Sequence, residues 1–197
     1  MKRKSIFLAV ILAIFAFVLC PKLNAQGLGI GAMAENFSLP DTNEKSQSLN
    51  DLKGEKGAVV VFLSAQCPVV RAYNDRITQL AADYKAKGIN FIGINSNSTE
   101  SLELVKSHAE ETYKFPVLID KGNVLADIFG ANATPEMFYF NEKNVLVYHG
   151  AIDNDRSGKN ITINYLRDAL DANLAGKAVA KTTANAFGCS IKRVSKN

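Results

Sequence analysis

Histidine, cysteine and tryptophan are scarce in this sequence. The 197 residues include two histidines, three cysteines and no tryptophan. Cys20, Cys67 and Cys189 stand far apart, so they form neither a CxxC pair nor the spacing of a zinc site. His108 and His149 each stand alone, and we interpret them as surface or core histidines rather than as metal ligands. The sequence therefore predicts no metal site, and it indicates no cofactor.

The sequence also lacks an apolar run long enough to span a membrane. Three basic residues open the chain within residues 2–4, and an apolar run follows over residues 6–19. That run is shorter than the roughly 20 residues of a spanning helix. A small residue, Ala25, then precedes Gln26. This layout is typical of a secretory signal peptide over residues 1–25, cleaved after Ala25, and it predicts an exported protein, periplasmic or extracellular.

Two alternatives to cleavage remain open at the N-terminus. The chain could stay anchored by an uncleaved N-terminal helix, or by a lipid on Cys20. The large Leu19 before Cys20 argues against the lipid, because a small residue is typical of that position in lipoprotein signals.

The predicted mature chain carries no net charge once the signal peptide is removed. The signal peptide contains four basic residues, Lys2, Arg3, Lys4 and Lys22, and no acidic one. Without it, 19 of the 23 basic residues remain, and their number equals that of the 19 acidic residues. A chain without net charge gives no reason to invoke nucleic acid or an anionic membrane as a partner. The mature part reads as one domain over residues 26–175, followed by a polar tail over residues 176–197 that carries Cys189.

The remaining chain alternates between strand and helix patterns. Strands are predicted over residues 58–63, 89–94, 115–120, 133–140 and 145–150, and helices over 68–87, 100–113, 123–129 and 163–174. The run "AVVVFL" suits a central strand buried on both faces. This order predicts an α/β fold with a central mixed sheet between helices, in which the first two long strands are parallel neighbours and the last two form an antiparallel edge. The glycine-rich residues 26–33 are predicted to form a flexible leader.

Cys67 lies at the junction between the central strand and the next helix. Pro68 fits the first helical position, where a missing N–H costs nothing. The free amides and the dipole of a helix N-terminus favour a thiolate, which lowers the pKa of such a cysteine below its usual value of about 8.5. Arg71 is a candidate source of positive charge, and Ser64 and Gln66 are candidate hydrogen-bond donors. The alternative is an inert buried thiol, a common state of free cysteine.

Thr134-Pro135 stands directly before the strand pattern "EMFYF". An X–Pro bond is the one place where a cis peptide costs little, so this dipeptide is a candidate for a fixed cis turn. An ordinary trans proline that opens an edge strand is the alternative.

Taken together, these segments resemble the thioredoxin-like superfamily. Within it they are similar to the redoxin or peroxiredoxin-like branch, the alkyl hydroperoxide reductase and thiol-specific antioxidant group. The resemblance covers about residues 33–192 and is carried by "CPVVRAYNDRI", "GINSN", "TPEMFYF" and "GCSIK". It implies a thioredoxin-like fold and an oxidoreductase active in antioxidant defence and redox homeostasis. Its substrates would be protein disulfides or hydroperoxides, with an unidentified thiol as electron donor.

The resemblance also assigns roles to individual residues. Cys67 matches the reactive cysteine, and Ser64 matches the Ser or Thr three residues before a peroxidatic cysteine. Thr134 and Pro135 match the cis-proline corner that shapes the substrate site. Apart from the resemblance, Gln66 and Pro68 stand on either side of the cysteine and are candidate substrate-binding residues.

Three departures narrow this prediction. Val70 stands where thioredoxins carry the second cysteine of CxxC, which excludes a dithiol cycle within one motif. Val60 replaces the proline found seven residues before a peroxidatic cysteine, and this weakens the peroxidase interpretation. Val61 replaces the buried acid of thioredoxins, and the tryptophan that flanks their cysteine is absent.

Cys189 offers another route to a redox cycle. An oxidised or substrate-linked cysteine needs a resolving thiol, and we hypothesise that Cys189 resolves Cys67 within one chain or between two. The alternatives are a tail thiol without a role and, in another class of function, a thioredoxin-fold binding module without redox turnover.

Overall fold

The computed structural model describes residues 27–195. The predicted signal peptide, with Cys20 and the predicted cleavage site, lies outside the described residues. The strands are β1 (Ser38–Pro40), β2 (Ser46–Ser48), β3 (Gly57–Leu63), β4 (Ile89–Asn95), β5 (Val117–Ile119), β6 (Ala133–Thr134), β7 (Glu136–Asn141), β8 (Leu146–Gly150) and β9 (Cys189–Ser190). The helices are α1 (Leu49–Leu52), α2 (Pro68–Lys85), α3 (Leu102–Thr112), α4 (Val124–Phe129) and α5 (Tyr165–Leu174).

A five-stranded mixed sheet forms the centre of the molecule, in the order β5-β4-β3-β7-β8. Strand β4 is parallel to β3 and to β5, whereas β7 runs antiparallel to β3 and to β8. The predicted parallel pair and the predicted antiparallel edge are therefore both confirmed.

Apolar side chains fill both faces of this sheet. All seven residues of β3 are buried. Alternate residues point to opposite faces of a strand, so Val59 and Val61 belong to one apolar cluster while Val60 and Phe62 belong to the other. The predicted central strand is thus confirmed, and its burial fixes where its carboxyl end presents the Cys67 loop.

Helix α2 buries the face that its apolar spacing predicts. Val70, Tyr73, Ile77 and Tyr84 are all buried against the sheet. The helix begins at Pro68, with Cys67 as its N-cap.

The structure differs from the sequence-based predictions in local details. The predicted strand 133–140 is divided at Pro135 into β6 and β7, because the peptide bond before the proline is cis. The predicted helix 100–113 begins instead at Leu102, since the Ser101 hydroxyl accepts the N–H of Leu104 as an N-cap. The described part of the predicted leader, residues 27–33, is tied down by bonds such as that from the Gly31 N–H to the Leu146 carbonyl oxygen at 2.9 Å.

The chain after α5 packs back onto the domain. Residues 182–184 run beside β8, where the N–H of His149 donates to the Thr182 carbonyl oxygen at 2.9 Å. Strand β9 then pairs antiparallel with β6. Between residues 27 and 195, no helix combines the length and apolarity needed to cross a membrane.

Candidate active site at Cys67 and Cys189

Cys67 lies at the carboxyl end of β3 and at the N-terminus of α2. Its backbone is extended, with φ −75° and ψ 118°, and its carbonyl oxygen accepts the N–H of Arg71 at 3.1 Å. Only 2% of the residue is exposed. The expected junction position is therefore confirmed, and the sulfur lies where the free amides of the first helical turn favour a negative charge.

Cys67 and Cys189 form a disulfide in this structure. Their Cα atoms are 6.0 Å apart, and the two cysteines are separated by 122 positions in the sequence. Because β9 pairs with β6, Cys189 lies opposite Thr134 in the ladder. The two cysteines of the hypothesised redox pair are thus bonded within one chain in this structure, while the resolving role of Cys189 stays a prediction.

The cis-proline corner lies against the same sulfur. The peptide bond between Thr134 and Pro135 is cis. The Thr134 carbonyl oxygen is 3.3 Å from the Sγ of Cys67. The sulfur has no proton in the disulfide, so this contact becomes a hydrogen bond only after reduction to the thiol.

Glu100 holds the loop that precedes Cys67, a role that the sequence analysis missed. Its carboxylate accepts the Ser64 hydroxyl at 2.5 Å, the backbone N–H groups of Ala65 and Gln66 at 3.0 Å each, and the side-chain amide of Asn95 at 2.6 Å. The Ser64 Oγ in turn accepts the Cys67 N–H at 3.1 Å. One carboxylate therefore fixes the loop geometry.

A signal for Glu100 did exist in the sequence. It follows the strand adjacent to β3, and the carboxyl ends of parallel neighbours meet at one edge of a sheet. The predicted helix start at Glu100 obscured this signal, since a residue in the loop is free to turn toward Cys67.

The other predicted site residues surround the disulfide in different ways. Gln66 and Pro68 are exposed on either side of the buried Cys67. The Nη2 of Arg71 donates to the Ala65 carbonyl oxygen at 3.2 Å. This hydrogen bond supports the loop before Cys67 and does not involve the sulfur. Their roles in catalysis or substrate binding stay predictions.

A second buried carboxylate, also missed, supports the cis-proline corner. Glu136 is 6% exposed and accepts the backbone N–H groups of Asn132 and Ala133 at 2.8 and 2.9 Å. Its other oxygen lies 2.6 Å from the Nε2 of His149. Burial by itself would raise the pKa of Glu136, but the bonds from His149 and from the two backbone groups outweigh it and hold that pKa below its ordinary value.

No group of three or more His, Cys, Asp or Glu side chains is placed to hold a metal ion anywhere in residues 27–195. His149 instead pairs with Glu136, and His108 is close to Asn74 and Tyr113. Burial, and then the nearby Arg71 charge, lower the pKa of His108.

These features place the chain in a known class. A mixed sheet between helices, a cysteine at a helix N-terminus and a cis-proline beside it define the thioredoxin-like fold. The AhpC/TSA family model matches residues 30–149. The chain belongs to the AhpC/TSA family.

Individual relatives agree with this placement. The chain is 31% identical to the thiol-disulfide oxidoreductase ResA of Halalkalibacterium halodurans over 117 residues, which are 59% of this chain and 65% of that protein. A crystal structure of a hypothetical protein from Sinorhizobium meliloti matches with a TM-score of 0.80 and 34% identity, covering 87% of this chain and 98% of that one. A putative thiol:disulfide interchange protein DsbE from Chlorobium tepidum shares the fold, with a TM-score of 0.55 and 21% identity over 62% of this chain and 85% of that one.

Proposed function

We propose that this protein is an exported thiol–disulfide oxidoreductase in which Cys67 is the nucleophile and Cys189 resolves it. The observation that carries the proposal is the disulfide between the two cysteines, formed at a helix N-terminus and beside the cis-proline corner. The similarity to ResA, a thiol-disulfide oxidoreductase, and membership in the AhpC/TSA family support it.

In the proposed reaction the two cysteine sulfurs act one after the other. In the reduced protein, the Cys67 thiolate attacks one sulfur of a substrate disulfide, and the other substrate sulfur leaves as a thiolate. Cys189, as its thiolate, then attacks the Sγ of Cys67 in this mixed disulfide. The second substrate thiolate departs, and the Cys67–Cys189 disulfide forms. An external thiol donor returns two electrons and two protons to complete the cycle.

Hydroperoxide reduction is the second candidate, favoured by the AhpC/TSA match. There the Cys67 thiolate would attack the terminal peroxide oxygen and break the O–O bond, so that Cys67 becomes a sulfenic acid. The other oxygen would leave as an alkoxide or hydroxide and take a proton from solvent. Condensation with the Cys189 thiol would release water and form the same disulfide. Val60, in place of the proline that the family resemblance implies, makes us rank this reaction below disulfide exchange.

Two assays separate these reactions. We expect the protein to accelerate the reduction of insulin disulfides by dithiothreitol, and we expect Cys67→Ser to abolish that acceleration. Stopped-flow mixing of the reduced protein with hydrogen peroxide should oxidise Cys67 no faster than a free thiolate. Rapid peroxide oxidation without insulin reduction would contradict the preferred reaction and establish the peroxidase.

A binding module without turnover is the competing class. In such a module the Cys67–Cys189 bond would be a structural disulfide that stabilises the fold. Its signature would be a reduced Cys67 with a pKa near the ordinary value of about 8.5 and no mixed disulfides trapped in cells by a Cys189→Ser variant. We predict the opposite for both measurements.

Export is part of the proposal and has its own test. Amino-terminal sequencing of the protein recovered from the periplasm should begin at Gln26, because cleavage after Ala25 is proposed. Recovery of the uncleaved chain from the cytoplasm would contradict it.

A further inference from the structure

The segment after Cys189 lies extended against the domain and is held largely through its main chain. Four hydrogen bonds fix it: Ile191 N–H to Asn132 O at 3.0 Å, Lys192 N–H to Asn97 Oδ1 at 3.0 Å, Ser98 N–H to Lys192 O at 2.8 Å, and Val194 N–H to Asn123 Oδ1 at 2.8 Å. We call the surface formed by β6, Asn97, Asn123 and Asp127 the tail groove. Strand β9 extends the edge of β6, and the residues after it bond through their backbone to groups of neighbouring loops. Hydrogen bonds to the main chain of an added segment are a general way to bind a peptide.

Two buried amides preorganise the tail groove. Asn97 and Asn123 are 8% and 2% exposed. The Asn97 amide donates to the Leu63 carbonyl oxygen at 3.2 Å, and the Asn123 amide donates to the Ser96 carbonyl oxygen. These bonds leave both side-chain oxygens directed at the backbone of the tail, so the two amides bind the main chain of an extended segment and do not select its side chains.

Three tail side chains supply the sequence preference. Cys189 reaches Cys67, and Ile191, 6% exposed, joins the apolar cluster on one face of the sheet. Arg193 forms an ion pair with Asp127 and donates to the Ala131 carbonyl oxygen. Together they define the pattern Cys-x-aliphatic-x-basic.

An incoming polypeptide needs the place that the tail now holds. Cys67 is bonded to Cys189 and 2% exposed, and Thr134 is already paired in the ladder with Cys189. A polypeptide sulfur that forms a mixed disulfide with Cys67 therefore takes the position of Cys189. A cavity of about 440 Å³ next to Val194, lined by Asn97 and Asp120 among others, continues the groove beyond it.

We propose that the tail groove is a docking site for an extended client polypeptide carrying Cys-x-aliphatic-x-basic, and that residues 188–194 are its built-in occupant. This inference rests on the proposed function of Cys67. In the reduced protein the client segment replaces the tail, and its disulfide is presented to Cys67. After the mixed disulfide forms, the return of the tail to the groove brings the Cys189 thiolate to Cys67 and expels the client.

The test uses the full chain with Cys20→Ser and Cys189→Ser, which leaves Cys67 as its single thiol. The probe is the peptide Gly-Cys-Ser-Ile-Lys-Arg-Val, with its cysteine activated as a mixed disulfide with thionitrobenzoate. Cys67 attacks the peptide sulfur, a Cys67–peptide disulfide forms, and thionitrobenzoate leaves as a coloured thiolate. The control peptide carries Asp and Glu in place of Ile and Arg.

We expect the first peptide to react at least about tenfold faster than the control, the size of effect that burial of one aliphatic side chain supports. Adding Ile191→Asp to the protein weakens the hold of its own tail, so this variant should raise the rate with the first peptide further. Equal rates for the two peptides would overturn the docking site. Oxidation of the wild-type protein into dimers linked from Cys67 to Cys189, in preference to adducts with the peptide, would also overturn it, because the groove would then serve a second copy of the chain.

The small symmetric disulfide of thionitrobenzoate separates this inference from the proposed function. It is too small to use the tail groove, so it reports the reactivity of Cys67 alone. A reaction no faster than that of free cysteine would contradict the nucleophile itself. Fast reaction with this reagent, combined with no preference between the peptides, would contradict the docking site and leave the nucleophile in place.

Discussion

At the scale of single residues, two carboxylates organise the surroundings of Cys67. Glu100 accepts four hydrogen bonds beneath the loop before the cysteine, and Glu136 accepts two backbone N–H groups beneath the cis-proline corner. Carboxylates suit this work because, when ionised, they only accept hydrogen bonds and can take several at once. Each holds a loop at one side of the same sulfur.

Replacing Glu100 by glutamine tests the first of these roles. The glutamine NH₂ group would point toward groups that are themselves hydrogen-bond donors, so at least one hydrogen bond is lost. We therefore expect the free energy of unfolding, measured by urea titration, to fall by about 1–3 kcal/mol. The exposed Glu55 provides a matched control, and Glu55→Gln should change stability by no more than about 0.5 kcal/mol. A Glu100 variant as stable as this control would contradict the role.

The lowered pKa of Glu136 predicts how the stability of the fold depends on pH. Its pKa lies below the ordinary value of 4.5 in the folded protein. Its carboxylate therefore stabilises the fold above that pH, and the contribution is lost as the pH falls through the lowered pKa. Wild type should be more stable than Glu136→Gln at pH 7, and the difference should shrink as the pH drops below 4.5. The same comparison with the exposed Glu142→Gln should show no such trend.

Single residues also show where sequence reasoning reaches its limit. The position of Cys67 at the junction could be predicted because the strand end, the proline and the helix start are all local. Glu100 and Glu136 act across the fold. The place of Glu100 after a parallel neighbour of β3 was the one signal for it, and nothing in the local sequence marks Glu136 as a loop support. Burial and partners decide their roles, and both depend on the packed structure.

At the scale of elements, the strand β9 is the part of the site that local pattern did not reveal. The helix spacing of α2 and the apolar runs of β3 and β4 were confirmed, because each follows a strong period. The two residues of β9 carry no such period. They form a strand only because β6, which ends directly before Pro135, offers its edge.

The glycine before β9 allows this approach. A Cβ on Gly188 would lie 2.1 Å from the Thr134 carbonyl oxygen, a backbone atom that cannot move away alone. We expect Gly188→Ala to push the tail from β6 and to lower the effective concentration of Cys189 at Cys67 about tenfold or more, as measured by equilibration with a glutathione redox buffer.

Gly29 offers the control for that experiment. A Cβ at Gly29 meets nothing within 4 Å. Gly29→Ala should leave the disulfide equilibrium unchanged, and an equal effect of both substitutions would show that the close approach at Gly188 is not what holds the tail.

At the scale of the whole molecule, the disulfide joins the strand-to-helix junction to the end of the chain. It spans 122 positions, most of the described domain. A crosslink over so long a loop restricts the unfolded chain strongly, and in the chain-entropy account this stabilises the folded state. The α/β class could be predicted from the alternation of elements, and the thioredoxin-like fold from the family resemblance, whereas the closure of this loop required the packed tail.

Cys189→Ser tests that closure. We expect the variant to lose about 2–5 kcal/mol of unfolding free energy relative to the oxidised wild type. Wild type treated with dithiothreitol should unfold at the same urea concentration as the variant. Stability unaffected by the substitution would mean that the crosslink contributes little to the fold.

The central claim is that Cys67 attacks first and Cys189 resolves. The most direct test follows the cysteines through one reaction. Fully reduced protein is mixed with one equivalent of a disulfide substrate and quenched by acid at successive times. Its disulfides are then mapped by mass spectrometry without reduction. We predict a transient substrate adduct on Cys67 alone, replaced by the Cys67–Cys189 crosslink, and a persistent Cys67 adduct in Cys189→Ser. A first adduct on Cys189, or Cys67 oxidation that never yields the crosslink, would contradict the account.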